Sequence, residues 1–259
     1  MVCPTITITF LGTGTSTGVP MIACNCEVCT STDIRNNRLR SSILVESETT
    51  RIVIDTTPDF RFQMLREGIQ KLDAVVFTHS HKDHIAGMDD VKCFSFFSGK
   101  PMLVYANEWT ETAIRREFAY VFAKERYPGI PEVDLRPMSL EPFVIGDIPI
   151  TPILVWHLKM PVYGFRIGDF TYITDANRID PEEQEKIKGS RVMVVNALRH
   201  TEHVSHFTLQ QATELVEQLQ IPWVYFTHIS HQLGLHAAVE DTLASHMKLA
   251  YDGLKLIIQ

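Results

Sequence analysis

The chain has 259 residues, 24 basic against 31 acidic side chains, and a formal net charge of −7. Hydrophobic residues make up 45% and charged ones 21%, a make-up that excludes intrinsic disorder over most of the length. The acidic balance argues against a broad basic surface for nucleic acid, and no apolar run approaches the ~20 residues a membrane helix needs.

The opening stretch MVCPTITITFLG has neither a basic start nor a cleavage site, so no signal peptide is read there. A cytoplasmic setting is expected, where thiols stay reduced and the five Cys are candidates for metal binding or plain burial. Ile6, Ile8 and Phe10 alternate with Thr5, Thr7 and Thr9, the pattern of a half-buried strand. The loop GTGTSTG follows. A dinucleotide fingerprint would need Gly at Thr17, and a phosphate-binding P-loop would need Gly-Lys-Ser/Thr, so the loop reads as a tight turn. Residues 43–45 and 52–54 predict a hairpin. Thr57-Pro58 predicts a helix start, with Phe60, Met64 and Leu65 as its apolar face and Gly68 as its end. DAVVFT is a short buried strand running into HSHKDH. Residues 102–106 form another strand, and Asn107 caps an amphipathic helix reaching about Ala123.

Residues 124–142 read as irregular and Pro-rich. Residues 143–155 and 162–174 hold several strands, with a hairpin turn at Gly168-Asp169. A buried strand at 191–196, a helix at 207–219, the strand WVYFT, a helix at 239–249 and a strand near Leu254 complete the chain. No linker or charge step divides it. The order predicts a single domain over residues 1–259, with two sheets face to face and helices outside.

The strongest chemical signal is His79-Ser80-His81-Lys82-Asp83-His84, directly after a buried strand. In an extended segment His79 and His81 project to one side. Four such groups at a strand end can hold one or two divalent ions; imidazole and carboxylate suit zinc, manganese or iron.

This HxHxDH pattern resembles that of the metallo-β-lactamase-fold hydrolases. The opening strand with Gly12-Thr13-Gly14-Thr15-Ser16, Arg40-Ser41-Ser42 before ILVE, and Asp55 closing RIVID beside the metal site extend the resemblance. It implies an α/β fold, a four-layer αββα sandwich. It also implies further ligands: His157 after LVW, Asp175 in YITDAN and His228 in FTHIS. The implied arrangement is His79, His81 and His157 on one ion, Asp83, His84 and His228 on the other, and Asp175 bridging. Asp83 and Asp175 then belong to the catalytic set.

Cys24-Asn25-Cys26-Glu27-Val28-Cys29 is the second cluster. CxCxxC supplies three thiolates, one ligand short of tetrahedral zinc. A redox CxxC usually opens a helix beside a βαβ unit, a setting not seen here. The fourth ligand is expected to be His231, three residues after His228. CxCxxC plus a late HxxH resembles the phosphoribosyl cyclic phosphate phosphodiesterases of phosphonate breakdown. That branch implies a structural zinc tying the cysteine loop to the C-terminal active-site loop. It also implies that His206, in VSHFTL, protonates the leaving oxygen; nearby His200 and His203 are rivals for that role or exposed. Arg38 and Arg40 are candidates for phosphate contact or for structure. Cys3 and Cys93 read as ordinary residues, and Phe94, Phe96 and Phe97 as core or pocket wall.

The expected activity is therefore cleavage of a small, cyclic phosphodiester by hydroxide held between two divalent ions, zinc or manganese, with one further structural zinc. The alternatives on the same fold are a thioester or lactone hydrolase and a tRNA 3′-processing nuclease, the latter poorly served by a −7 chain. A metal-binding module without catalysis ranks last, because the ligand set is complete. The expected partner is a small phosphate ester, with no membrane and no broad nucleic-acid surface. A homodimer is among the assemblies left open.

Overall fold

The computed structural model describes residues 4–125 and 127–259; Cys3 lies outside them. In it the alternation at Ile6, Ile8 and Phe10 becomes β1 (Ile6–Gly12). The first half continues with β2 (Ser42–Glu46), β3 (Arg51–Ile54), α1 (Phe60–Arg66), β4 (Ala74–Val76), α2 (Lys82–Ile85), α3 (Lys92–Ser98), β5 (Met102–Ala106), α4 (Glu108–Glu117) and β6 (Val133–Pro137). The second half holds β7 (Phe143–Ile145), β8 (Ile148–His157), β9 (Met160–Ile167), β10 (Phe170–Tyr172), α5 (Pro181–Ile187), β11 (Val192–Asn196), α6 (Leu209–Gln218), β12 (Trp223–Thr227), α7 (His236–Glu240), β13 (Met247–Leu249) and β14 (Lys255–Ile258).

Two seven-stranded sheets result, ordered β14-β1-β2-β3-β4-β5-β6 and β13-β12-β11-β10-β9-β8-β7. From β3 to β6, and from β10 to β13, neighbours run parallel; the other pairs are antiparallel. Phe10, Ile54, Val76, Phe165, Tyr172 and Val194 meet in the core between the sheets. Leu11, Val75, Phe77 and Val104 face the helices of the first half, and Ile173, Val195 and Phe226 those of the second. This is the expected αββα sandwich. Burial on both faces explains why AVV and VMVV read as unbroken apolar runs. Parallel strands deliver their C-terminal ends to one edge, where such folds place ligands.

The structure corrects several expectations. Residues 133–137 form β6, an edge strand parallel to β5, where terminal Pro137 is tolerated because no further strand needs its N–H. No helix spans 239–249. α7 stops at Glu240, whose carboxylate accepts from Leu249 N at 3.0 Å, and Met247 and Leu249 are buried with period two in β13. α1 starts at Phe60, after a turn in which Thr57 Oγ1 accepts from Asp59 N, and its Leu65 is exposed. Of the two readings for the aromatic run, core fails for Phe96 and Phe97, which are exposed, while Phe94 and Phe97 do line the wall of a surface groove. Helices α2, α3 and α5 were not anticipated. Among the described residues no helix is long and apolar enough to cross a membrane.

Candidate metal centre

Parallel strand ends supply most of the site. Asp55 follows β3, His79 follows β4, Asp175 follows β10 and His228 follows β12, while His157 closes β8. Asp55, Asp175 and His228 have φ of 67°, 53° and 55°. Asp and His tolerate this left-handed region better than most side chains, and its concentration at one edge marks a constrained site. His81 caps α2, which carries Asp83 and His84.

The side chains converge on Asp175. Its Oδ2 lies 3.5 Å from His79 Nε2 and 3.2 Å from His84 Nε2, and its Oδ1 2.9 Å from His228 Nδ1. Three groups have ligand atoms within 4.8 Å of one another: His79, His81 and Asp175; Asp83, His84, Asp175 and His228; and His157, Asp175 and His206. The structure thus brings Asp83, His84 and His228 together around the carboxylate of Asp175, which all three groups share. His157 groups with Asp175 and His206, although its ring centroid is also 5.0 Å from that of His81. His79 Nε2, His84 Nε2 and His228 Nδ1 are buried without hydrogen-bond partners. Orphaned buried nitrogens are costly, and imidazoles around a carboxylate suit divalent ions, so the residues fit a two-metal centre.

Burial lowers the pKa of His79 and of His157. For His84 burial also lowers it, but Asp175, Asp83 and Asp55 outweigh that and raise it well above the ordinary value. For Asp175 burial is outweighed by His228 and His84, which hold it well below the ordinary value.

Surrounding groups orient the rings. Asp55 accepts from His84 Nδ1 at 2.7 Å, and its two oxygens also accept from Thr78 N and Oγ1. The Ser205 carbonyl accepts from His157 Nδ1 at 2.8 Å, which turns Nε2 toward the centre. Thr15 Oγ1 lies 3.3 Å from His228 Nε2. The loop is held against that strand end by backbone hydrogen bonds, Thr15 N donating to Ile229 O at 3.1 Å and Ile229 N to Thr13 O at 2.9 Å. Sequence reasoning missed the roles of Thr15 and Ser205, and placed Asp55 beside the site without its hydrogen bond to His84.

His206 is 8% exposed, with its ring centroid 4.5 Å from His157 and 4.9 Å from His228. Burial pushes its pKa down to about 3. His203 stacks behind it at 5.0 Å, whereas His200 is exposed. Arg38 is buried and donates to Thr13 Oγ1, Ala250 O and His236 Nδ1, so it has a structural role. Arg40 pairs with Asp59 at 3.0 Å.

The second cluster also assembles. His231 Nδ1 lies 3.4 Å from Cys24 Sγ and 3.3 Å from Cys26 Sγ, and all four candidate ligands group within 4.8 Å. A hydrogen bond from His231 is the main cause that lowers Cys26 to about 6, while burial raises Cys29 to about 11. Three sulfurs and one imidazole are a tetrahedral zinc set. The contact joins residues 207 positions apart.

Against known proteins, the Beta-lactamase superfamily domain profile matches residues 50–229, which include every candidate catalytic ligand. A crystal structure described as a new diphosphatase from the PhnP family is 40% identical, with a TM-score of 0.93, covering 98% of this chain and 97% of that one. An octanoyltransferase of Porphyromonas gingivalis is 39% identical over 251 residues, 96% of this chain and 51% of its own length. The chain thus spans about half of that curated relative. Zn(2+)-bound PqqB from Methylobacterium extorquens shares the fold, at 19% identity and a TM-score of 0.76 over 96% and 99% of the two chains.

Proposed function

The chain belongs to the beta-lactamase superfamily of metal-dependent hydrolases, on its PhnP-family branch, and from that premise we propose that it is a phosphodiesterase acting on a small, cyclic phosphodiester. The observation that carries this reading is Asp175, one carboxylate in reach of all three ligand groups, with His206 beside it. His79, His81 and His157, and Asp83, His84 and His228, would hold two divalent ions, zinc or manganese, with Asp175 between. When bound, such a pair supplies Lewis acidity at phosphorus and lowers the pKa of water.

The chain's own residues do the rest. Asp55 fixes the His84 tautomer and Ser205 the ring of His157, which sets the direction of each ligand atom. His206 takes up a proton from solvent when the anionic ester binds beside it and gives that proton to the leaving oxygen. Burial keeps the imidazole neutral, and an anionic phosphoryl group beside it is the charge that raises its pKa enough to carry that proton. Cys24, Cys26, Cys29 and His231 would hold a structural zinc.

A second reading, hydrolysis of a thioester or lactone, draws on the octanoyltransferase name of the relative, which belongs to a protein about twice as long. The diphosphatase description of the PhnP-family structure adds phosphoanhydrides to the candidates. The test is turnover by metal-defined protein on a cyclic phosphate, a linear phosphodiester, a diphosphate, a thioester and a tRNA precursor. The proposal expects the cyclic phosphate to lead and Asp175→Asn to abolish it together with one or more bound ions. Preference for the thioester, or wild-type turnover by Asp175→Asn, overturns it.

A further inference from the structure

Asn177 lies two residues after Asp175, and its backbone is fixed on both sides. Asn177 N donates to Trp156 O at 2.9 Å and Trp156 N donates to Arg178 O at 2.9 Å, while the Arg178 guanidinium lies over the Trp156 ring at 4.8 Å. Ala176 is held by the buried side chain of Asn196, whose Oδ1 accepts from Ala176 N at 2.8 Å and whose Nδ2 donates to Ala176 O at 2.9 Å. From this base the Asn177 amide reaches two other segments. Its Oδ1 accepts from Leu158 N at 2.9 Å, and its Nδ2 donates to Val204 O at 3.0 Å. Leu158 directly follows His157, and Val204 precedes Ser205 and His206. Since Ser205 O accepts from His157 Nδ1, the five residues His157, Leu158, Asn177, Val204 and Ser205 close a hydrogen-bonded ring, with His206 next in the chain.

Both segments need such a tie. Leu158 has φ of 59° in the two-residue turn that joins β8 to β9, a left-handed conformation that a branched side chain keeps only where its surroundings impose it. Residues 199–206 contain neither helix nor strand, and Val204 is 71% exposed. Arg199 braces the far part of that loop by donating to Thr201 O and Glu202 O. Beside His206, among the described residues, the side chains that reach the loop from outside it with a hydrogen bond are those of His157 and Asn177. Opening the ring at Asn177 leaves the single bond from His157 to Ser205 to hold both segments.

We propose that Asn177 is a positioning residue: its amide clasps the His157 turn to the His206 loop and so holds the two imidazoles, 4.5 Å apart between ring centroids, at the metal centre. The clasp stands on geometry alone; its effect on turnover rests on the phosphodiesterase reading, in which His206 serves the leaving oxygen.

Asn177→Leu keeps a similar volume and removes both bonds. Asn177→Asp keeps an acceptor for Leu158 N and loses the donor to Val204 O. One hydrogen bond of ordinary net strength corresponds to about 5-fold in a local opening equilibrium. Amide exchange read by mass spectrometry should therefore quicken about 5-fold or more in both 156–160 and 199–207 for Asn177→Leu, but only in 199–207 for Asn177→Asp. Exchange in β11 and α6 should stay as in the wild type, which marks the change as local. At saturating metal, Asn177→Leu should lower kcat about 10–100-fold on an alkyl phosphodiester and much less on a nitrophenyl ester, with little change in KM. A residue that merely supports the fold slows both esters alike. Unchanged exchange in both segments overturns the clasp, and equal losses on the two esters overturn its action through His206. If the wild type hydrolyses neither ester, the phosphodiesterase reading is what fails, and the exchange pattern alone decides the clasp.

Discussion

Asp55 and His84, both fully buried, are joined by a 2.7 Å hydrogen bond from His84 Nδ1 to Asp55 Oδ2. The bond commits the imidazole to one tautomer and leaves Nε2 for the metal centre. Asp55→Asn replaces an acceptor with an amide that donates, so either the ring or the amide must turn. Loss of such an outer partner typically costs about 10–100-fold in metal affinity or activity. Competition with a chelator at fixed pH measures the affinity directly; a wild-type value would show that His84 does not depend on Asp55 for its orientation.

Cys26 and His231 close a clip over 205 residues of sequence separation. Cys26→Ser should bind one zinc fewer while the catalytic ligands keep theirs. Losing the clip should cost ~3 kcal/mol, which for a chain of this size lowers Tm by about 6–12 °C. Metal analysis and differential scanning fluorimetry read both quantities. Unchanged zinc content and melting would mean that the three thiols are merely neighbours.

Much of this architecture is local in the chain, and that part was legible. HSHKDH lies in six consecutive residues, and CxCxxC with HxxH pairs two short motifs. What was missed depends on pairing at a distance. The β3–β4 register brings Asp55 to His84, 29 residues on, and backbone hydrogen bonds between Thr13, Thr15 and Ile229 bring Thr15 to His228, 213 residues on. The error at β13 has a similar cause. Val239, Leu243 and Met247 recur at helical spacing, but Glu240 accepts from Leu249 N and Thr242 bonds back to Val239 O, so the helix closes early. Phe96 and Phe97 look like core because nothing nearby in sequence reveals that Ser95 is held inward by Glu132 O, 37 residues away.

Arg38 and His236 give the fold a defined acid sensitivity. The guanidinium can only donate, so His236 Nδ1 must accept at 2.9 Å, and the ring is neutral. Burial, then the charge of Arg38, lowers its pKa from 6.5 to about 4. The native state refuses a proton that the unfolded chain accepts, so this stability is complete above the unfolded pKa and is lost as pH falls through the folded one. His236→Asn keeps an acceptor near the Nδ1 position without titrating. Between about pH 7 and pH 5 the wild type should lose ~1 kcal/mol more than this variant in denaturant unfolding. Parallel pH profiles would remove His236 as the source.

His206 separates proton donation from metal binding. Its Nδ1 is buried without a partner, its ring lies beside His157 and His228, and it would face the leaving oxygen of a bound ester. A donor matters in proportion to the basicity of the leaving group. His206→Ala should therefore slow an alkyl phosphodiester by about 10²–10⁴-fold but an aryl ester with a nitrophenolate leaving group far less. His206→Asn, which fills the space without donating from an imidazolium, should behave like the alanine variant. His200→Ala should leave both rates alone, since that ring is exposed. Bound metal must be measured in each variant, because His206 lies within ligand distance of His157 and Asp175. Equal losses on both esters at full metal content would show that His206 positions substrate. Equal losses with metal missing would make it a ligand. Only the leaving-group-dependent loss at full occupancy identifies the acid.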